Sequence, residues 1–225
     1  MRIKWLGQSA FLLTGESKTV VIDPYGRFPE GGPIKFDYPP LDGLESDVVL
    51  VSHEHLDHNA SEIVGGDPEV IRASAGTFDS PLGEVLGVAS EHDPVAGTQR
   101  GPNTIFCFTL DGVRCCHLGD FGQSGLRPEQ REAIGDVDVL LVPVGGGPTI
   151  DGRQAAEVVA ELSPSVAIPM HYATDAVDFL EGPDEFLATV AAEVERPGSN
   201  EIDLAELDGS RNGTRVVVLD PPPLG

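Results

Sequence analysis

Val48-Val49-Leu50-Val51-Ser52-His53-Glu54-His55-Leu56-Asp57-His58 opens as an apolar run and ends in side chains that bind cations. The apolar part reads as a buried strand. If the extended backbone continued, His53, His55 and Asp57 would share one side and His58 would face the other, so the chain must turn near Asp57. Such a strand end offers His53 and His55 to one metal ion and Asp57 and His58 to a neighbouring one. Imidazoles and a carboxylate suit zinc, manganese and iron alike. The alternative is a polar loop that gathered histidines by chance. Against it, the chain has only 6 histidines in 225 residues, and half of them fall in this hexapeptide.

Outward from this stretch, short apolar strands are expected at 3–6, 10–13, 19–22 and 48–51, which gives the opening a β-meander character. Further strands are expected at 70–73, 104–110, 113–118, 137–144, 166–169 and 214–219, and helices at 128–134, 152–162 and 184–194. Strands dominate, and both sheets need an outer helical cover, so the fold class is an α/β sandwich. The length and the 40% apolar content suit one domain with a sizeable core, set at residues 1–220, with 221–225 as a flexible tail. The segment from Tyr25 to Glu45 is long for an unstructured connection and carries Phe28, Phe36 and Tyr38 among prolines and glycines. It reads as a lid over the site, or as a loop packed on the sandwich or on another subunit.

Composition narrows the partners. The formal net charge is −23, and Lys4, Lys18 and Lys35 are the only lysines. Such a surface repels phosphate backbones and anionic headgroups, so neither nucleic acid nor membrane is an expected partner. The opening residues are too mixed for a signal peptide, and no apolar run approaches the roughly 20 residues that span a bilayer. A soluble cytoplasmic protein is the expectation, with monomer and homo-oligomer both open. Cys107, Cys115 and Cys116 lie in runs that read as adjacent strands and, lacking zinc-type spacing, as reduced core thiols. A hairpin contact of Cys107 with one of the others is the redox alternative.

A two-ion centre needs more ligands than the hexapeptide supplies. His92 and His171 each stand where an apolar strand ends, in Ser90-Glu91-His92-Asp93 and Ile168-Pro169-Met170-His171-Tyr172, and both read as ligands. Asp120 follows His117-Leu118-Gly119 at a third strand end, where a carboxylate could bridge two cations. His117 lies on its strand and reads as a buried histidine instead.

These pieces, in this order, resemble the metallo-β-lactamase superfamily of metal-dependent hydrolases, in the branch that includes L-ascorbate-6-phosphate lactonase. The matching segments include Ile3-Lys4-Trp5-Leu6-Gly7-Gln8-Ser9-Ala10, Val21-Ile22-Asp23-Pro24, residues 52–59, His92-Asp93, 97–104, His117-Leu118-Gly119-Asp120, Pro143-Val144-Gly145-Gly146, Thr149-Ile150-Asp151 and 168–172. The resemblance implies an αββα sandwich with metals at one edge of the two sheets. It implies His53, His55 and His92 on the first ion, Asp57, His58 and His171 on the second, and Asp120 between them. It also implies that Asp23 fixes a ligand histidine from behind. Two departures stand out. Gln123 occupies a position where relatives in this branch tend to carry histidine, and Gly147-Pro148 replaces a bulkier pair. Metal binding survives both changes; transfer of the lactonase substrate does not.

The chemistry implied is hydrolysis of a small ester, lactone or phosphoester by a hydroxide bridging two divalent ions, zinc favoured over manganese or iron. Asp57 and Asp120 are the expected catalytic carboxylates. Arg100 is the candidate for an anionic group on a small-molecule substrate, and Thr149 a neutral donor. The rival readings are a nuclease or nucleotide phosphodiesterase of the same superfamily, and a metal-stabilised binding or sensing protein without turnover.

Overall fold

The computed structural model describes residues 1–28, 34–207 and 213–224. The chain begins with β1 (Arg2–Gly7), β2 (Ala10–Thr14) and β3 (Thr19–Ile22), an antiparallel meander, and crosses over to β4 (Val48–Val51) and β5 (Glu69–Arg72), which continue it in parallel. In β1, Ile3 and Trp5 are fully buried while Arg2 is exposed, the alternation of a half-buried strand. All of β4 is buried. Val48 and Leu50 join the main core, whereas Val49 and Val51 join Val21 and Val64 on the opposite face. That two-sided burial explains the unbroken apolar run, each side chain contributing roughly 1.5–3 kcal/mol on leaving water.

The second sheet starts with a meander of β6 (Gly76–Ser80), β7 (Gly83–Glu91), β8 (Pro102–Leu110) and β9 (Val113–His117). After α1 (Pro128–Ile134) it becomes parallel, through β10 (Val139–Pro143), α2 (Gly152–Leu162) and β11 (Val166–Met170). Asp151 caps α2 by accepting from Gln154 N at 2.9 Å, and Gln154 Oε1 accepts from Asp151 N at 3.1 Å. Ala155, Val158, Val159 and Leu162 form the buried stripe of that helix. The chain then runs through α3 (Asp184–Thr189), β12 (Glu193–Glu195), β13 (Glu201–Asp203) and β14 (Arg215–Val217). The sheet orders are β13-β1-β2-β3-β4-β5 and β12-β14-β11-β10-β9-β8-β7-β6, so β13 returns to the N-terminal sheet.

The sandwich is as expected, with two corrections of detail. The third helix stops at Thr189 rather than at residue 194, because Val190 is extended and Val194 pairs with Val216. Among the described residues the outer face of the six-stranded sheet carries no α-helix. Val64, beside the 3₁₀ turn Ser61–Ile63, and the partly buried Leu44 cover part of it, and a cluster that includes Tyr25, Tyr38, Leu41 and Val177 covers more. In the tail, Pro222 is buried, while Gly225 lies outside the described residues. Cys107, Cys115 and Cys116 are free and buried, with Cys107 opposite Cys116. Among the described residues no helix is long and apolar enough to cross a membrane.

Strand direction places the site. The chain runs the same way in β1, β3 and β4, and likewise in β7, β9, β10 and β11. The segments that follow these strands carry Gln8, Asp23, His53, His92, Asp120 and His171.

Candidate metal centre

Extended geometry ends at Val51, before the hexapeptide rather than within it. Residues 56–58 form a tight turn in which His58 N donates to His55 O at 3.0 Å. The turn does what alternation was expected to do and brings His53 Nε2 within 3.0 Å of His55 Nδ1. His53 and His58 are buried, His55 is exposed, and the Asp57 side chain is 20% exposed.

Asp120 Oδ2 is the focus of the arrangement. It lies 3.2 Å from His92 Nε2, 3.2 Å from His171 Nε2, 3.3 Å from His58 Nε2 and 3.8 Å from His53 Nε2. Ligand atoms of His53, His55 and His92 come together, as do those of His53, His58 and Asp120, and those of Asp57, His58 and His171. The seven residues expected to hold metal therefore occupy one place.

Three of the rings, those of His58, His53 and His92, are held from behind, whereas among the described residues the buried His171 Nδ1 has no hydrogen-bond partner. Asp23 Oδ2 pairs with His58 Nδ1 at 3.0 Å and accepts from Ser52 Oγ at 2.7 Å, and that hydroxyl is 3.0 Å from His53 Nδ1. His92 Nδ1 donates to Pro148 O at 3.0 Å, so the loop that departs from the lactonase-like pattern holds a ligand. His117 is fully buried, with Nε2 donating to Ser9 O at 2.9 Å and Nδ1 accepting from Gly119 N at 3.0 Å. Asn103 Oδ1 accepts from Asp120 N at 3.0 Å. Gly119, at φ +58°, has no room for a Cβ, which would run into Asn103 Oδ1 and Ser52.

Burial pushes the His53 imidazole down to about 3, and the neighbouring His58 adds to the effect. At His58 burial also opposes the charge, but the carboxylates of Asp120 and Asp57 outweigh it and hold the ring well above its ordinary value. Asp120 stays well below the usual carboxylate range despite burial, because His171 and His58 stabilise its charge. Even so, His58 Nε2 is buried and makes no hydrogen bond. A buried nitrogen left without a partner beside two anionic carboxylates is what a cation-binding site presents when built of imidazole and carboxylate donors. The residues fit a divalent ion.

Arg100 and Thr149, the expected substrate residues, make their hydrogen bonds within their own loops. Arg100 is exposed; its backbone N donates to Asp93 Oδ2 at 2.8 Å in the loop after His92. Thr149 is buried, its hydroxyl 3.4 Å from the carbonyls of both Gly146 and Ile150, so as placed it serves its own loop. Gln123 bonds to Gln130 and Gly125, away from the rings. Of the segment at 25–45, residues 29–33 lie outside the described residues. Its described aromatics pack together, with Phe28 stacked on Phe36 at 4.3 Å and Tyr25 edge-on to Phe36 at 5.1 Å. Tyr38 lies against Gly7, where a Cβ would approach its ring to 2.6 Å, and its hydroxyl is 3.0 Å from Thr174 Oγ1. These described parts pack on the sandwich, where Tyr25, Tyr38 and Leu41 share a cluster with Leu6, Ala10 and Val177.

Two residues beyond those expected from the sequence, Gln8 and Ser9, reach the same carboxylates. Gln8 Nε2 donates to Asp57 Oδ2 at 3.0 Å, and Ser9 Oγ donates to Asp120 Oδ1 at 3.2 Å. The available signal was their place directly after a strand whose end joins the same edge.

Residues 2–171 match the beta-lactamase superfamily domain family. A UPF0173 protein of Pyrococcus abyssi is 31% identical over 198 residues, covering 77% of this chain and 84% of the relative. A protein of Thermococcus kodakarensis named a UPF0173 metal-dependent hydrolase is 30% identical over 223 residues, covering 87% and 94%. The crystal structure of a candidate Zn-dependent hydrolase of the metallo-beta-lactamase superfamily from Thermotoga maritima superposes with a TM-score of 0.75 at 36% identity, covering 97% of this chain and 99% of that one. By sequence match and by fold, this chain belongs to the metallo-β-lactamase superfamily, within the UPF0173 family.

Proposed function

We propose that this protein is a hydrolase that works with two divalent ions, zinc first among them, on a small molecule carrying an ester, lactone or phosphoester bond. The observation that carries the reading is the convergence of four imidazole nitrogens on Asp120 Oδ2, within 3.2 to 3.8 Å. One ion would be held by His53, His55 and His92 and the other by Asp57, His58 and His171, with Asp120 shared. Ions bound there supply an acidified water and an electrophile for the scissile oxygen.

The chain's own residues set the rest. The floor, made by His53, His58, His92, His171 and Asp120, is closed to solvent, while His55 and Asp57 are open on one side. Substrate therefore enters past His55 and Asp57. Asp57 remains anionic, since His58 outweighs the burial that would favour its acid form, and it can accept a proton at its carboxylate. Arg100, on the loop after His92, is the cation available to an acidic substrate group.

The test is a metal-replete activity screen over lactones, phosphodiesters, thioesters and β-lactams, with His55→Ala as control and elemental analysis alongside. Two ions per chain and a turnover lost in the control are expected. A folded protein that keeps its activity after exhaustive chelation overturns the reading.

A further inference from the structure

Gln8 and Ser9 form the turn between β1 and β2 and are fully buried. Burying amides and hydroxyls is unfavourable, and here Gln8 Nε2 and Ser9 Oγ are bonded while the buried Gln8 Oε1 has no partner among the described residues, so their placement calls for a reason. The geometry assigns this turn a positioning role: Gln8 and Ser9 each tie down one of the two carboxylates of the metal centre, so that incoming ions meet a fixed donor set. This rests on the two-ion reading above.

Ser9 Oγ donates to Asp120 Oδ1, which leaves Oδ2 as the oxygen turned toward the four rings. Gln8 Nε2 donates to Asp57 Oδ2, and the reversed amide would set an oxygen against the carboxylate, so the donor orientation is fixed. Asp57 needs such a restraint more than Asp120 does, because it sits on an open turn and is partly exposed. The restraint is itself anchored in both sheets. Gln8 O accepts from Trp5 Nε1 at 2.9 Å and from His171 N at 3.2 Å, and Ser9 O accepts from His117 Nε2 at 2.9 Å. Gln8 holds φ +51° and His171 φ +51°, backbone conformations that persist only where the surroundings impose them. The turn is thus locked to the ligand His171 through its main chain while its side chains reach the two acids.

Full-length Ser9→Ala and Gln8→Met variants test the assignment, with circular dichroism to check folding. Zn²⁺ affinity is read by competition with a chelator, and coordination by the visible spectrum of the Co²⁺ form. Ser9→Ala is expected to weaken both ions by about 10- to 100-fold, since Asp120 is shared, and Gln8→Met to weaken one ion by a similar factor. Both are expected to change the Co²⁺ spectrum, whereas Ser9→Thr, which keeps the hydroxyl, retains the parent spectrum. Affinity and spectrum unchanged in Ser9→Ala and Gln8→Met overturn this inference alone. A parent protein that takes up no ion overturns it together with the two-ion reading.

Discussion

Asp120 has one oxygen committed to Ser9 and the other facing four imidazoles, so its replacement reaches every ligand group. Asp120→Asn keeps the shape but presents an amide where an anion is needed. Elemental analysis of the purified variant is expected to show metal content reduced to about one ion or fewer per chain. A second prediction concerns the metal-free protein and pH. Free histidine titrates near 6.5, but burial pushes His53 down to about 3, and it also lowers His55 and His117. Between these limits the unfolded chain takes up protons that the folded chain refuses. The stability from these three is therefore fully present above about pH 6.5 and is lost progressively as pH falls toward the folded values. His58 has the opposite sign, its contribution intact below about 6.5 and lost only as pH rises through its raised value. The thermal midpoint of the metal-free protein is expected to fall between pH 6.5 and pH 4.5. A midpoint that holds or rises across that range contradicts the assignment.

Elements deliver these residues, and their local chemistry can be tested separately from the site. Asp151→Ala removes the cap of α2 and is expected to lower stability by about 1 kcal/mol in urea denaturation with metal binding retained. Gly119→Ala introduces a Cβ at φ +58° against Asn103 and Ser52, and is expected to cost about 1–3 kcal/mol and to weaken metal binding as well, because Asp120 is the next residue. What was legible in the sequence divides along the same lines. β4 could be read because burial on both faces requires an unbroken apolar run, and α2 because its cap and its stripe agree. β6 could not, because it is an edge strand with no fully buried residue, and β13 could not, because three residues carry no period. His92 and His171 could be picked out as candidates because histidine is scarce, and they, like Asp120, stand just past a strand. Gln8 and Ser9 were passed over because glutamine and serine are ordinary turn residues, and only the third dimension sets them against Asp57 and Asp120.

At the scale of the whole molecule, charge decides which partners come near. With a net charge of −23, no retention of generic RNA or duplex DNA is expected in a filter assay at physiological salt, since so acidic a chain repels the phosphate backbone. Tight retention that weakens steeply as salt rises would favour the nuclease reading. Topology decides something else. Ser9 and Asp120 meet across 111 residues of chain, and β13 returns to pair with β1. Loop closure over such spans is slow compared with forming a hairpin. The hexapeptide can hold an ion loosely as soon as its own turn forms, but tight capture must wait until the two sheets have docked. In refolding with Co²⁺ present, backbone structure is therefore expected to appear before the mature ligand-field band. The ion becomes a clock that reads the last step of assembly.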